Sequence, residues 1–405
     1  MKLHPGPVKQ KGISLIVTLL ITVLMSLLAL YGAGVLVLDT RSAANDYRYR
    51  EAMAAAESGL DQGFSLVNAN RTNISAVGSG WTTCTSTATP CMPVRSDDRT
   101  NWKYLTVTAS LLTQPGSGSF ALYLLTPVSG DSSGLIFNIV ARGSSADGTS
   151  TATVKQGVYF YPVILGNIDT PLAAASNIPL NGNYCIVTNP NGGGWNVPVS
   201  AWSPNSFTTT VSGSFASVQK GDFDGSCPNP ASAQNLLSTG KKINTDLIND
   251  PNFPPDLFAF LFGVSASNYQ TVKDLAQVVS SCSGLNSSSS GLIWVTGDCN
   301  PSGVIGSTAN PVMLIVEGST NFVAGDQMYG LLYMFDSDSP SNTRQLTTAG
   351  TAHMHGAIIA HDSNVTLDLQ GTFIIEYDED VLKNLKNSPS TRALARIPGS
   401  WSDVQ

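Results

Sequence analysis

The sequence predicts an α+β protein: a long N-terminal transmembrane helix, a small antiparallel sheet, and a β-rich head built as a β-solenoid with a short helical insertion. Three observations predict it. Residues 13–38 carry no charge. Residues 39–68 keep apolar side chains near helical spacing. From residue 104 onward the chain is dominated by short apolar runs cut by Gly, Asn and Asp corners. Across 405 residues, 21 Lys and Arg face 28 Asp and Glu, a net charge of −7. That balance argues against nucleic acid as the main partner, because phosphate binding needs clustered cations. Abundant Ser, Thr, Asn and Gly after residue 70 suits an extracytoplasmic β protein.

The first element is the uncharged run. As a helix, residues 13–38 would reach about 39 Å, more than a bilayer core requires. Lys2, Lys9 and Lys11 precede it and no acid does, so residues 1–12 are expected in the cytoplasm and the rest outside. A cleaved secretory signal has a shorter apolar core; Gly32 and Gly34 mimic its cut site, but VLVL follows at once. An ordinary anchor fits the length. A third reading is a short basic leader ending in Gly12, cut just before the apolar run. After the run, Ala52, Ala55, Ala56, Leu60, Phe64 and Val67 continue the helical period to residue 68.

Lys9-Gln10-Lys11-Gly12 followed by Ile13-Ser14-Leu15-Ile16-Val17 resembles the class III signal of type IV prepilins. With AAESGL at residues 55–60, the segment 9–68 is similar to the N-terminal domain of the PilX group of minor pilins. The resemblance implies cleavage by prepilin peptidase after Gly12, methylation of the new terminus at Ile13, and Lys9 and Lys11 as leader charges. Major pilins of this kind carry Glu as the fifth mature residue; here that position is Val17. Its absence suits a subunit that need not pair with one ahead of it. The DPNFPPDLF block (250–258), the YDEDVLKNL block (377–385) and the Pro398-Gly399-Ser400-Trp401 tail resemble the same group.

The resemblance further implies a minor pilin anchored in the inner membrane with a periplasmic head. It would prime pilus assembly and then sit at or near the pilus tip. Its partners would be other minor and major pilins through the N-terminal helix, the peptidase, and a large tip adhesin; nucleic acid is not among them.

Four segments, 104–112, 120–126, 134–142 and 151–161, alternate apolar and polar residues and read as an antiparallel sheet ended by Pro162. The expected organisation is leader 1–12, helix 13–68, pilin-like sheet 69–162 and solenoid-like head 163–405. In the head, LIWVTG (292–297), VMLIVEG (312–318), GLLYMFD (330–336), GAIIAHD (356–362) and TFIIEYD (372–378) recur at intervals of roughly twenty residues, the mark of stacked turns. STNFVAG (319–325) and NVTLDLQG (364–371) lie between them. A β-sandwich is the alternative. Segments 175–187 and 207–218 are expected to start the stack. Residues 243–281 read as two short helices, the first opened by Pro254 or Pro255, the second capped by Ser267 or Asn268. Phe258, Leu261 and Phe262 read as core. Trp401 reads as a plug closing one end of the stack.

Six cysteines follow the apolar run, an even count suited to an oxidising compartment. The simplest pairing is sequential: Cys84–Cys91, Cys185–Cys227 and Cys282–Cys299. No CxxC spacing points to a metal instead. His353 and His355 form an HxH that puts both rings on one face of a strand, a candidate metal pair, with His361 close behind. Asp222 and Asp224 (DFDG), and Asp336 and Asp338 (DSD), could bind calcium or simply form turns. Calcium apart, no cofactor is called for. No nucleophile–base spacing stands out, so the chain reads as non-enzymatic. Two other classes remain. One is an adhesin using an aromatic stripe with Trp195 and Trp202. The other is a membrane-tethered carbohydrate-active enzyme of β-helix type.

Overall fold

A computed structural model describes residues 13–71, 81–84, 102–105, 119–125, 135–175, 183–205, 215–226, 246–247, 249–336, 344–361, 365–369 and 372–403. The chain divides into two compact units, Met1–Tyr159 with Arg396–Gln405, and Phe160–Ala395.

In the first unit, helix α1 spans Ile13–Ala69, 57 residues without a break, or ~86 Å. Gly32 and Gly34 sit inside it and do not interrupt it. Its second half packs on an antiparallel meander of Trp81–Thr83, Trp102–Leu105, Ser119–Leu125, Ile136–Ser144 and Thr151–Pro162. The strand at Trp81–Thr83 has no counterpart in the sequence reading, because three residues carry too little pattern. The last strand ends at the expected proline; residues 106–112 of the first expected strand lie outside the described residues.

The helix–sheet seam is made of small residues. Ala52, Ala55 and Ala56 are buried, and Gly59 and Gly63 rest on Phe120, Ala141, Leu122 and Ile139. Gly143 lies directly under the helix backbone. A Cβ there would stand 2.1 Å from the Ala52 carbonyl oxygen, so only glycine lets the two backbones approach this far.

The C-terminal tail corrects the expected head boundary of 163–405. Residues 396–403 return to the first unit, where Ser402–Asp403 pairs antiparallel with Val154 and Lys155. Ile397 N–H donates to the Gly157 carbonyl at 2.9 Å, and the Gly157 N–H donates to Ser400 Oγ at 3.0 Å. Tyr49 O–H donates to Asp403 at 2.7 Å. Trp401 is 48% exposed and plugs nothing. The strand edge at 154–157 needs backbone partners, and the tail supplies them.

The second unit is built from parallel strands. One sheet runs in spatial order Asp246–Leu247, Ala201–Trp202, Leu172–Ala174, Thr351–Ala360, Gln327–Met334, Val312–Val316, Gly291–Val295 and Gln277–Val279. A second face stacks Thr372–Glu376, Asn183–Val187 and Phe215–Val218 beyond the first half of Thr351–Ala360. A third stacks Thr320–Phe322, Arg344–Thr348 and Val365–Leu369. The two longest strands turn from one face to the next at Gly330 and Gly356. These adopt φ 142° and 135° and sit in register. A Cβ on Gly356 would meet the Gly330 carbonyl oxygen at 1.9 Å.

Segments 175–187 and 207–218 do not start the stack. Asn183–Val187 lies against Thr372–Glu376, the last turn in sequence, and Phe215–Val218 lies beyond it. The stack therefore joins two runs. One climbs from residue 277 to residue 376, and the run that begins at residue 172 continues from its end.

Between the faces lies a core of Leu172, Ile293, Leu314, Phe322, Leu332, Leu346, Ile358, Leu367 and Phe373. The alternate residues of the large sheet, including Trp294, Ile315, Tyr333 and Ile359, are covered by a second cluster with Phe258, Leu261, Phe262 and Leu385. Both sides of the strand Val312–Val316 are thus buried, which is why its sequence is apolar without alternation. The covering elements are helices α2 (Leu257–Phe262), α3 (Gln270–Lys273) and α4 (Glu379–Asn387). Helix α2 is opened by Asp256, not by a proline: the Ala259 N–H donates to its carboxylate at 2.8 Å and the Ala266 N–H at 3.0 Å. Helix α3 has no side-chain cap, so neither Ser267 nor Asn268 serves it.

Candidate functional site

Helix α1 presents the first candidate site. Its side chains from Leu15 to Leu38 stand almost entirely exposed, Leu15 and Leu30 at 71% each. The hydroxyls that would break this apolar cylinder are turned inward. Thr22 Oγ1 donates to the Thr18 carbonyl at 3.0 Å and Ser26 Oγ to the Thr22 carbonyl at 2.7 Å. Such a surface is stable only in lipid or against other apolar helices. The helix is long and apolar enough to cross a membrane. Ile13, the first of the described residues, already lies in it. Lys9, Lys11 and Gly12 lie outside the described residues. Val17 is exposed on the helix surface with its apolar neighbours.

A second candidate lies where the two runs of the parallel stack meet. Strand pairing sets His355 beside Glu376 in register, with Tyr329 on the other side of His355. His353 and His355, two apart on one strand, point to the same face, and their rings stack at 3.7 Å between centroids. Tyr329 stacks on His355 at 4.3 Å, and Phe223 meets His353 edge-on at 6.2 Å. Both imidazoles aim at one carboxylate oxygen: His353 Nε2 is 3.0 Å and His355 Nδ1 3.2 Å from Glu376 Oε2. His353 Nε2 is off the line of a true hydrogen bond, so it is buried without a full partner. Lys220, from the turn after Phe215–Val218, pairs with the other oxygen, Oε1, and donates to the Tyr377 carbonyl at 3.2 Å.

The three side chains are 18%, 16% and 13% exposed. Burial pushes the Glu376 carboxyl up, but His353, His355 and Lys220 outweigh it and hold the group well below the usual carboxylate range. Among the described residues these are the ligand atoms that converge as a set of three, all within 4.8 Å of one another.

The other sequence candidates do not converge. Asp224 accepts from the N–H and hydroxyl of Ser226 at 3.1 and 2.8 Å, a local turn, and Asp222 sits in the short 3-10 turn Lys220–Asp222. Asp336 pairs with Arg344, and Asp338 lies outside the described residues. His361 shares a hydrogen bond of 2.7 Å with the Tyr333 hydroxyl. Cys282 and Cys299 are joined by a disulfide. Cys84 and Cys185 are disulfide-bonded as well; Cys91 and Cys227 lie outside the described residues. Glu376 and Lys220 escape sequence reading. Glu376 is within reach of it, because stacking TFIIEYD in register on AHMHGAIIA puts it beside His355. Lys220 has no signal, since its turn precedes Glu376 by more than a hundred and fifty residues.

Comparison with known proteins identifies one region. Residues 11–61 match the family described as PilX N-terminal. A solved structure, the competence-associated pilin ComZ from Thermus thermophilus, aligns over 89% of this chain and 98% of its own, at 12% identity and a TM-score of 0.24. A score that low adds nothing to the reading of the fold. No curated protein matches the sequence.

Proposed function

We propose, from a chain that opens on a PilX-type pilin segment, that this protein is a minor pilin of the type IV pilus system. The observation that carries the proposal is the division of helix α1. Its first half is an exposed apolar cylinder, and its second half is seated on a sheet through alanine and glycine. One half suits lipid before assembly and the apolar centre of a helical filament after it. The other carries a head. In this reading prepilin peptidase cuts after Gly12, Ile13 becomes the methylated terminus, and the subunit packs with other pilins through residues 13–38. The subunit is structural rather than catalytic.

The head is read as a β-solenoid inserted between the sheet at Tyr159 and its returning strand at Ser402. Parallel in-register strands and corner glycines support that reading. A head of this size disfavours continuous stacking along a filament and suits an end position, where it would help to prime assembly. Val17 in place of an acid supports the same place.

The test is the mature terminus, read by mass spectrometry from cells with and without prepilin peptidase. A chain beginning at Ile13, seen only with the peptidase, is expected. An intact Met1, or a cut near Gly34, would overturn the reading.

A tip adhesin is the second reading, favoured by Trp195, 98% exposed on its loop. Trp202 does not extend an aromatic stripe. Its indole donates to Asp250 at 2.8 Å and it packs on Phe253 and Phe260. Loss of surface binding in Trp195→Ala, with piliation intact, is the expected result if adhesion is real.

A further inference from the structure

We propose that His353, His355 and Glu376 form a binding site for a divalent transition-metal ion of the zinc type, set at the junction between the two runs of the parallel stack. The pilin reading makes no use of these residues.

Four observations carry it. Two imidazole nitrogens and a carboxylate oxygen converge, with His353 Nε2 and His355 Nδ1 at 3.0 and 3.2 Å from the same Glu376 Oε2. His353 Nε2 is buried and lacks a full hydrogen-bond partner, a cost that a metal bond removes. The ligands sit on adjacent paired strands, so their spacing is set by backbone register rather than by loops. Finally, Lys220 holds the second oxygen of Glu376 and Tyr329 stacks on His355, contacts that orient two of the ligands from outside.

The ligand chemistry selects the ion. Two imidazoles and one carboxylate suit zinc, cobalt, nickel or copper; calcium prefers six or more oxygens. The ligand atoms lie within 4.8 Å of one another. A tetrahedral ion with bonds of about 2.0–2.2 Å draws its ligands to roughly 3.4 Å apart. The widest pair therefore closes by at most about 1.4 Å, a shift of the size that side-chain rotation supplies. Three protein ligands leave a fourth position for water or for a group on another molecule. All three ligands belong to the first run (His353, His355, Glu376), and the second run reaches the site through Lys220, which pairs with Glu376.

The experiment uses the full chain without an affinity tag, purified in detergent, stripped with chelator, and titrated with cobalt(II). The expected result is one ion per chain with the visible absorption of four-coordinate cobalt, displaced by zinc and unaffected by calcium. His353→Ala, His355→Ala and Glu376→Gln should each weaken binding by at least about 100-fold, and His361→Ala should not. His355→Phe keeps the stack on Tyr329 and guards against a folding defect, with near-UV circular dichroism as the check. No visible bands in the wild-type chain would overturn the proposal. So would binding that survives loss of both His353 and His355.

Discussion

The helix–sheet seam of the first unit and the core of the second solve the same problem with opposite residues. In the seam, Ala52, Ala56, Gly59, Gly63 and Gly143 bring backbones into contact and leave little side chain to bury. In the parallel stack, Ile, Leu, Phe and Met fill the space between faces, and glycine is kept for the corners at Gly330 and Gly356. At Gly143 the seam tolerates no addition, because the atoms in the way are helix backbone. A core of large residues tolerates no removal, because its neighbours collapse only in part. The seam also leaves the apolar side chains of α1 before residue 39 free for lipid or other helices.

The comparison can be broken by substitution. The largest effect is expected at Phe258, fully buried against Trp294, Tyr333 and Phe335. Phe258→Ala should destabilise the second unit by about 3–5 kcal/mol, read by urea unfolding with proteolysis to locate the cleavage. Next comes Gly143→Ala, which adds a single methyl group yet meets the backbone of Ala52 at 2.1 Å. A loss of about 1–3 kcal/mol is expected, assigned to the first unit. If it proves neutral, the seam is looser than its geometry and the contrast fails. Smaller again is Asp256→Ala, which removes the acceptors of the Ala259 N–H at the start of α2 and of the Ala266 N–H beyond its end. About 1 kcal/mol should be lost, and Asp256→Asn, whose one amide oxygen can replace only one of the two acceptors, should recover part of it.

The smallest effect depends on pH and sharpens the comparison at the stack's junction. The carboxyl of Glu376 is depressed in the folded chain, so its contribution is complete above its ordinary value of 4.5 and is lost as pH falls below that toward the folded value. The stability difference between the wild type and Glu376→Gln should therefore be present at pH 7 and shrink at pH 3. A difference that grows on acidification would contradict the assignment.

Much of the fold is legible in one dimension, and the pattern of success is physical. The long helix announces itself because residues 13–38 lack charge and residues 52–67 keep helical period. Strands such as Val312–Val316 and Thr372–Glu376 are legible because burial on one or both faces leaves a run or an alternation in the sequence. Half of the junction site, His353 and His355, is legible because neighbours on one strand share a face. Misreadings fall where a partner is distant. Asp256, not Pro254 or Pro255, opens α2, because a carboxylate whose two oxygens each accept from an amide outweighs a ring that only pre-sets φ.

By itself, then, the sequence determined the long apolar helix, the β character of the chain beyond it, and the positions of most strands, because each is a short-range pattern of apolar and polar residues. Only the tertiary structure decided that residues 183–187 and 215–218 stack beyond residue 376, that the tail at 402–403 returns to the first sheet, and that Glu376 meets the histidines with Lys220 paired to its other oxygen. These are matters of register between segments far apart in the chain. Register is set by which backbone edges and buried faces must find partners, and no local pattern records that choice.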